Sequence, residues 1–320
     1  MGEPFWSKLR GHFDLDLAAV QMLPYRIDGV RGRLDLTERD FTLSGLAGEM
    51  FAGRWRGDVR IGYEPGAPAG DHVLTGKFDI EQFETARAIQ TVFPNDYGSL
   101  DARLDLTATI RGAGHRWWQL LDGATGEFAL TAQNGVARLQ HPQLGTASTV
   151  LALAGTVGFS AELRALGRLL KKFAEMPVER LRVTGARDAA GNLTLGELRF
   201  DSPQARIFGR GQVPADATTP LVGRKLNLSL ELHAKDEMAV ILGNMKLLEK
   251  QPQPDGFQRM KQPFLLGGEV GKPDPSPLYD LLARAVDGSK GTWSLIMRKV
   301  QKEVEKQAPP PPAKKTAALP

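Results

Sequence analysis

Apolar and polar residues alternate along most of this chain, which is the period of an extended strand with one apolar and one solvated side. The clearest case is Ser99–Arg111, where apolar residues fill every second position and Asp101, Arg103 and Asp105 lie between them. The same pattern predicts strands over His12–Val20, Ile27–Thr37, Asp40–Leu46, Val73–Ile80, Gly126–Leu139, Leu181–Thr184, Asn192–Phe200, Ala205–Val213 and Lys225–His233, and a glycine-interrupted strand over Gly48–Tyr63.

Two short motifs refine this pattern. The dipeptide Asn134-Gly135 predicts a hairpin turn that divides the Gly126–Leu139 segment into two strands. Gly209-Arg210-Gly211 lies inside a strand pattern and predicts a β-bulge. The run Arg-Leu-Asp-Leu-Thr at Arg33–Thr37 recurs at Arg103–Thr107, so two strands share one side-chain pattern.

The apolar spacing changes to that of an amphipathic helix in four places. These predicted helices are Glu81–Phe93, Ser160–Phe173, Asp236–Leu248 and Pro277–Val286. We therefore expect a mainly β protein with some helices, of the α+β class. Its predicted architecture is an elongated, twisted antiparallel sheet that has an apolar inner face and few covering helices.

The C-terminal part differs in composition from the rest. Apolar residues recur at helical spacing among Lys and Glu, at Trp293, Ile296, Val300 and Val304. Four consecutive prolines, Pro309–Pro312, then remove backbone donors, and no apolar pattern follows them. Residues 288–320 are thus predicted to form an amphipathic helix and a disordered tail.

Composition excludes several classes of function. The chain has 320 residues with 41 Lys and Arg against 37 Asp and Glu, and the small excess is dispersed. A nucleic-acid-binding surface normally concentrates basic residues, so we expect no nucleic-acid partner. The chain has no cysteine, which excludes disulfides, thiolate metal ligands and a cysteine nucleophile.

No segment has the features of a membrane span. The first ten residues lack the apolar core of a signal peptide. The best candidate, Thr146–Ala161, is shorter than the roughly 20 apolar residues that a spanning helix needs. We expect either a soluble protein or one whose anchor helix is not present in this chain.

The residues offer no catalytic signature. The five histidines have neither metal-ligand spacing nor a carboxylate partner nearby in sequence; they are His12, His72, His115, His141 and His233. Nucleophile-elbow, phosphate-loop and dinucleotide motifs are absent from the sequence. We therefore expect no enzyme, no catalytic residue, no bound metal and no cofactor.

The candidate functional surface is the apolar side of the strands. Helices, a partner protein or lipid could cover it. We take as representatives of this surface, and as candidates for a lipid-binding groove, the residues Leu34, Leu36, Leu104, Leu106, Leu193, Leu195, Leu228 and Leu230.

Four segments of the chain resemble the AsmA family. Leu23–Gly57 contains Tyr-Arg-Ile-Asp-Gly-Val, Phe-Thr-Leu-Ser-Gly-Leu and a glycine-rich strand, and Leu100–Arg138 is similar to the AsmA-like C-terminal region. Leu198–Val213 and Gly268–Pro277 fit the closing part of that region. The resemblance implies an AsmA-like strand-rich segment over residues 1–97 and an AsmA-like C-terminal region over residues 98–287.

This resemblance implies a function in the cell envelope. AsmA-type proteins are elongated, strand-built proteins, related to bridge-like lipid-transfer proteins, that are linked to phospholipid transport and outer-membrane biogenesis. It implies a periplasmic or inner-membrane-associated protein that binds phospholipid or another acyl-chain lipid, with inner- or outer-membrane proteins as further partners. The alternative is a structural or interaction module with a closed core that pairs with a partner through a sheet edge.

Overall fold

The structure, a computed structural model, describes most of the strand-forming part of the chain. The described residues are 4, 6–22, 25–67, 70–92, 100–116, 119–121, 123–138, 168–169, 171–173, 175–274 and 276–287. The predicted C-terminal helix and tail, residues 288–320, and the apolar segment Thr146–Ala161 lie outside them.

Fourteen strands form one open sheet in which every described pairing is antiparallel. The strands are β1 (Gly11–Met22), β2 (Tyr25–Leu36), β3 (Asp40–Met50), β4 (Gly53–Tyr63), β5 (His72–Glu84), β6 (Leu100–Gly114), β7 (Thr125–Ala137), β8 (Met176–Arg187), β9 (Leu193–Asp201), β10 (Ala205–Val213), β11 (Asn227–Ala234), β12 (Gln258–Arg259), β13 (Phe264–Glu269) and β14 (Lys272–Asp274). Their spatial order follows the sequence from β1 to β11 and continues through β13 to β14, while β12 pairs with β11 off this path. The mainly β, antiparallel prediction is confirmed.

The helices are fewer and shorter than the strands. They are α1 (Thr85–Val92), α2 (Asp236–Asn244) and α3 (Ser276–Asp287), with a turn of 3₁₀ helix at Leu221–Gly223. The prediction of a helix near Pro277–Val286 is confirmed. The helix predicted over Asp236–Leu248 begins where expected but ends at Asn244. Of the helix predicted over Ser160–Phe173, residues 168–169 and 171–173 are helical and the others lie outside the described residues.

The start of the helix predicted over Glu81–Phe93 is wrong. Strand β5 continues to Glu84 and the helix begins only at Thr85. Gln82 has a φ of 56° and lies at a register shift between β5 and β6. The extra residue of this bulge separates two apolar residues by three positions instead of two. That spacing resembles the period of a helix, which explains the error.

The hairpin turn predicted at Asn134-Gly135 is also wrong. Both residues lie within the single strand β7, which pairs with β6 on one side and β8 on the other. Asn134 has a φ of 56°, and the register between β6 and β7 shifts opposite it. The left-handed backbone that this dipeptide favours is therefore used in a bulge. The bulge predicted at Gly209-Arg210-Gly211 is wrong in its location: these residues pair regularly with β11, and the extra residue at the register shift between β9 and β10 lies in β9, between Leu195 and Leu198.

A tight turn that the sequence did not reveal joins β3 to β4. Met50 pairs with Gly53, so only Phe51 and Ala52 form the connection. Their φ values are 52° and 61°, as in a two-residue hairpin turn with two left-handed positions. Because neither is glycine, asparagine or aspartate, the segment predicted as one interrupted strand over Gly48–Tyr63 is in fact a hairpin.

The largest core lies at the C-terminal end of the sheet. Strands β8 to β11 and β13 contribute one side, and α2, α3 and the helical residues 169 and 173 contribute the other. Its buried side chains include Leu169, Phe173, Met176, Val178, Phe200, Leu228, Leu230, Leu232, Met238, Ile241, Leu242, Met260, Phe264 and Leu282. A small second core of Ala102, Leu104 and Ala132 lies on β6 and β7.

The sheet is continuous across the predicted boundary between residues 97 and 98. Strand β5 precedes the boundary, β6 follows it, and the two pair directly from His72 and Gly114 to Glu84 and Arg103. The division at this position stays a prediction based on the family resemblance.

Candidate functional site

The cross-strand register shows which side chains share a face of the sheet, because directly paired residues point to the same side. Leu34 pairs with Leu43, and Leu43 pairs with Val59. When such pairs are traced from strand to strand, all eight predicted groove residues lie on one face of the sheet. They are Leu34, Leu36, Leu104, Leu106, Leu193, Leu195, Leu228 and Leu230.

One line of paired residues crosses this face from β3 to β13, and we call it the apolar row. Each member is the direct cross-strand partner of the next: Gly48, Trp55, Ile80, Leu106, Leu130, Val183, Leu198, Gly209, Leu230 and Phe264. With strands about 4.8 Å apart, these ten residues cover roughly 43 Å across the sheet. The row contains no polar side chain over that distance.

The apolar row has two parts that differ in exposure. At the C-terminal end, Leu230 and Phe264 are buried, with exposed fractions of 7% and 8%, in the core that contains α2 and α3. From β4 to β9, all six side chains of the row are only half-buried. They are Trp55, Ile80, Leu106, Leu130, Val183 and Leu198. The row therefore remains partly in contact with water over six strands, as apolar binding surfaces do.

The predicted groove residues divide in the same way. Leu36, Leu104, Leu228 and Leu230 are buried. Leu34, Leu106, Leu193 and Leu195 are half-buried. The sequence placed all eight on one face correctly, but alternation alone does not report which of them a helix covers.

Glycines on this face allow large side chains to lie close to the backbone of the next strand. A Cβ atom at Gly185 would be 2.6 Å from Cε1 of Phe128, and one at Gly209 would be 2.5 Å from Cδ2 of Leu230. Both distances are far below van der Waals contact, so these neighbouring side chains occupy the space that a larger residue would need. Aromatic and leucine side chains therefore fill the face where glycine lacks a side chain of its own.

The opposite face of the sheet is polar and carries cross-strand ion pairs. The guanidinium of Arg33 lies 3.0 Å from the Asp14 carboxylate, and that of Arg182 lies 3.0 Å from Glu197. These side chains are largely exposed, and exposed pairs contribute little to stability. Their consequence is that this face is fully compatible with water, in contrast to the face that carries the apolar row.

Two aspartates on the polar side support the bulges. The backbone N–H of Gly45, at the bulge in β3, donates a 2.8 Å hydrogen bond to Asp58 of β4. The N–H of Gln82, at the bulge in β5, donates a 2.8 Å hydrogen bond to Asp105 of β6. Each carboxylate thus accepts a hydrogen bond from a backbone N–H at a position where the regular pairing between the strands is interrupted. In the alternating strand pattern these aspartates occupy solvated positions, and no local signal identifies their structural role.

His72, the first residue of β5, belongs to an aromatic cluster where β4 ends and β5 begins. Its ring centroid lies 5.3 Å from that of Tyr63 and 5.9 Å from that of Trp6, which is 1% exposed. The neighbouring Asp71 accepts a 2.9 Å hydrogen bond from the N–H of Gly66, and this bond lowers the pKa of Asp71. His115 lies 3.7 Å from the same carboxylate. The cluster packs Trp6 against His72 of the sheet, and the Gly66–Asp71 hydrogen bond lies beside it.

His233 belongs to a second cluster, on the polar side of β11. Its Nε2 lies 2.6 Å from Glu231, and Arg259 of β12 donates a 2.6 Å hydrogen bond to the same carboxylate. Burial by itself would raise the pKa of Glu231, but these two hydrogen bonds lower it overall. The ring of His233 also contacts Phe208 edge-on at 5.0 Å. The ion pair between Arg259 and Glu231 holds β12 against β11.

Of the remaining histidines, only His12 is among the described residues, and it belongs to neither cluster. His12 is exposed on β1, and His141 lies outside the described residues. In the described part of the chain, no three histidine or carboxylate side chains are arranged to hold a metal ion. Within the same part, no helix combines the length and apolar character needed to cross a bilayer. The expectation of no enzymatic activity stays a prediction.

The geometry therefore points to a surface, with the half-buried part of the apolar row as the candidate site and the leucines of β6 at its centre. Comparisons with protein-family models, with curated proteins and with solved structures give no match to this chain.

Proposed function

We propose that this chain is a non-enzymatic lipid-handling protein of AsmA type, in which the sheet twists into an elongated groove with the apolar row on its inner side. The observation that carries the proposal is the half-buried part of that row, from Trp55 of β4 to Leu198 of β9. Phospholipid or another acyl-chain lipid occupies the groove. Inner- or outer-membrane proteins are its further partners, and the protein acts in the periplasm or at the inner membrane.

The physical reason is that an acyl chain needs only a continuous apolar surface. Each methylene group removed from water contributes about 0.8 kcal/mol, so a chain of a dozen buried methylenes is held without any polar contact. The half-buried part of the row crosses six strands, which at about 4.8 Å per strand is roughly 24 Å. Headgroups are expected to remain in water, because the row has no charged side chain that could bind them.

The exposure pattern supports a groove with one open and one closed part. The half-buried part, which includes Ile80, Leu106 and Leu130, would accept acyl chains. The buried part, which includes Leu230, is filled by side chains of α2 and α3. Lipid would therefore enter over β4 to β9 and stop near β10.

A second candidate function is a structural or interaction module with a closed core. It is supported by the burial of Leu36, Leu104, Leu228 and Leu230, which is ordinary for a core. In this case the half-buried residues would be stabilised by a protein partner instead of lipid.

The decisive experiment measures phospholipid that co-purifies with the protein, by mass spectrometry, together with a thermal melt. We compare the wild type with Leu106→Asp, which puts a charge in the half-buried row, and with Thr107→Asp on the exposed opposite face of the same strand. We expect the wild type and Thr107→Asp to carry lipid, and Leu106→Asp to fold but lose it. A wild type without lipid, or a Leu106→Asp variant that unfolds, favours the closed-core module.

A further inference from the structure

The two edges of the sheet differ in how well they are protected against pairing with another strand. The β14 edge is only three residues long, and Pro273 in its centre has no backbone N–H to donate. Short length and proline are both devices that prevent edge-to-edge association. Strand β1 at the other edge has twelve residues and no proline, and among the described strands it pairs only with β2.

The side chains of β1 also leave this edge available. On the apolar side, Phe13 and Leu17 are 53% and 44% exposed. On the polar side, the side chains of Asp14 and Asp16 are 74% and 80% exposed. A protected edge usually carries lysines, but β1 contains neither lysine nor arginine. Its free edge is therefore long, partly apolar and acidic.

Strand β2 shows which chemistry β1 accepts on its occupied side. Arg33 is the direct partner of Asp14, with the charged groups 3.0 Å apart, and Arg31 is the partner of Asp16, at 3.7 Å. On the apolar side of the same two strands, Leu34 pairs with Phe13 and Val30 pairs with Leu17. A strand on the free side would meet the same two carboxylates and the same apolar side chains.

We propose that the free edge of β1 binds a strand of a partner protein, in antiparallel orientation, in which apolar residues alternate with arginine or lysine. Charge selects this occupant. A second copy of β1 would bring two acidic strands together without a basic residue on either. The proposal concerns a different surface from the lipid groove, and it holds whether or not the protein binds lipid.

The test uses a synthetic peptide with the sequence of β2, Tyr25–Leu36, labelled with a fluorophore and titrated with the full-length protein by fluorescence anisotropy. We expect saturable binding and new protection of the β1 amides in hydrogen exchange, with unchanged protection of β2. The double variant Asp14→Lys/Asp16→Lys should weaken binding at least tenfold. A peptide with glutamate in place of Arg31 and Arg33 should bind this variant better than it binds the wild type.

Matched controls separate edge binding from general charge effects. Glu127→Lys/Glu179→Lys makes the same change in charge at exposed positions of the inner strands β7 and β8, and should leave the affinity unchanged. If the β1 variant does not fold, the charge-reversed peptide is compared with the original on the wild type, where it should bind at least tenfold more weakly.

Several results would overturn the proposal. These are absence of saturable binding, equal binding of both peptides, or loss of protection in β2, which would mean that the peptide replaces the native strand. Sedimentation that shows a dimer with β1 protected in the absence of peptide would also overturn it, because the occupant would then be a second copy of this chain.

Discussion

An aspartate placed in each part of the apolar row should have very different effects on stability. Leu230 is 7% exposed, and its direct partners are Gly209 and Phe264. Removing a buried leucine side chain costs about 2–5 kcal/mol. Holding the new carboxyl neutral at pH 7 requires its pKa to rise by about three units, which costs about 4 kcal/mol more.

The sum, about 6–9 kcal/mol, is comparable with the whole stability of a typical protein, which is about 5–15 kcal/mol. We therefore expect Leu230→Asp to be largely unfolded at neutral pH. Leu106 is only half-buried. An aspartate there can turn towards water, so we expect Leu106→Asp to lose only about 1–2 kcal/mol of apolar burial.

The assay is urea unfolding followed by circular dichroism, for the wild type and both variants at pH 7 and pH 4. An aspartate in the buried part has a raised pKa in the folded state, so the folded protein binds the proton more tightly than the unfolded chain does. The destabilisation of Leu230→Asp, measured relative to the wild type, should thus be smaller at pH 4 than at pH 7. Equal destabilisation by the two variants at pH 7 would show that the row has no accessible part.

Three further predictions concern the backbone and the carboxylates. Ala52→Gly should raise the free energy of unfolding by about 1 kcal/mol, because Ala52 has a φ of 61°. The same exchange within a strand lowers the free energy of unfolding. Unchanged or lower stability in urea unfolding would contradict this prediction. Asp105→Ala removes the acceptor for the N–H of Gln82, which should cost about 1–2 kcal/mol and speed hydrogen exchange of that amide; a rate equal to that of the wild type would argue against the bond. Hydrogen bonds from two threonine hydroxyls lower the pKa of Asp216 to about 2, and the largest effect comes from Thr219. The ionised Asp216 therefore stabilises the folded protein above the ordinary pKa of an aspartate, and this contribution is lost as the pH falls towards 2. In Thr219→Val a carboxyl titration followed by NMR should give a higher pKa, and an unchanged value would refute the assignment.

The sequence predicted the faces of the strands well, because alternation is a local property of each segment. Leu104 and Leu106 belong to a strand pattern that can be interpreted without knowledge of any neighbour. The bulges were harder to predict, since one extra residue changes the apolar spacing from two to three, as at Gln82. Phe51 and Ala52 give no turn signal at all, since the closure of the β3–β4 hairpin, and not their own preference, holds them in the left-handed region.

The sequence predicted which residues share the apolar face, but it did not predict how strongly each of them is exposed to water. Whether a leucine on that face is covered depends on helices far away in sequence. Leu230 is buried in a core that includes Leu282 of α3, and no pattern near residue 230 reports this. The bulge-supporting role of Asp105 depends in the same way on a residue of the preceding strand.

The sequential strand order has a consequence for how such a sheet changes in length. Because each strand up to β11 lies beside its predecessor, inserting or deleting one hairpin leaves every other pairing intact. Each added hairpin would lengthen the apolar row by about 10 Å. The run Arg33–Thr37, which begins in β2 and ends just after it, recurs at Arg103–Thr107 of β6, and this agrees with growth by repetition of one unit. The number of hairpins therefore sets the length of the apolar row. The sequential strand order also favours rapid stepwise folding, because almost all pairings join neighbours along the chain.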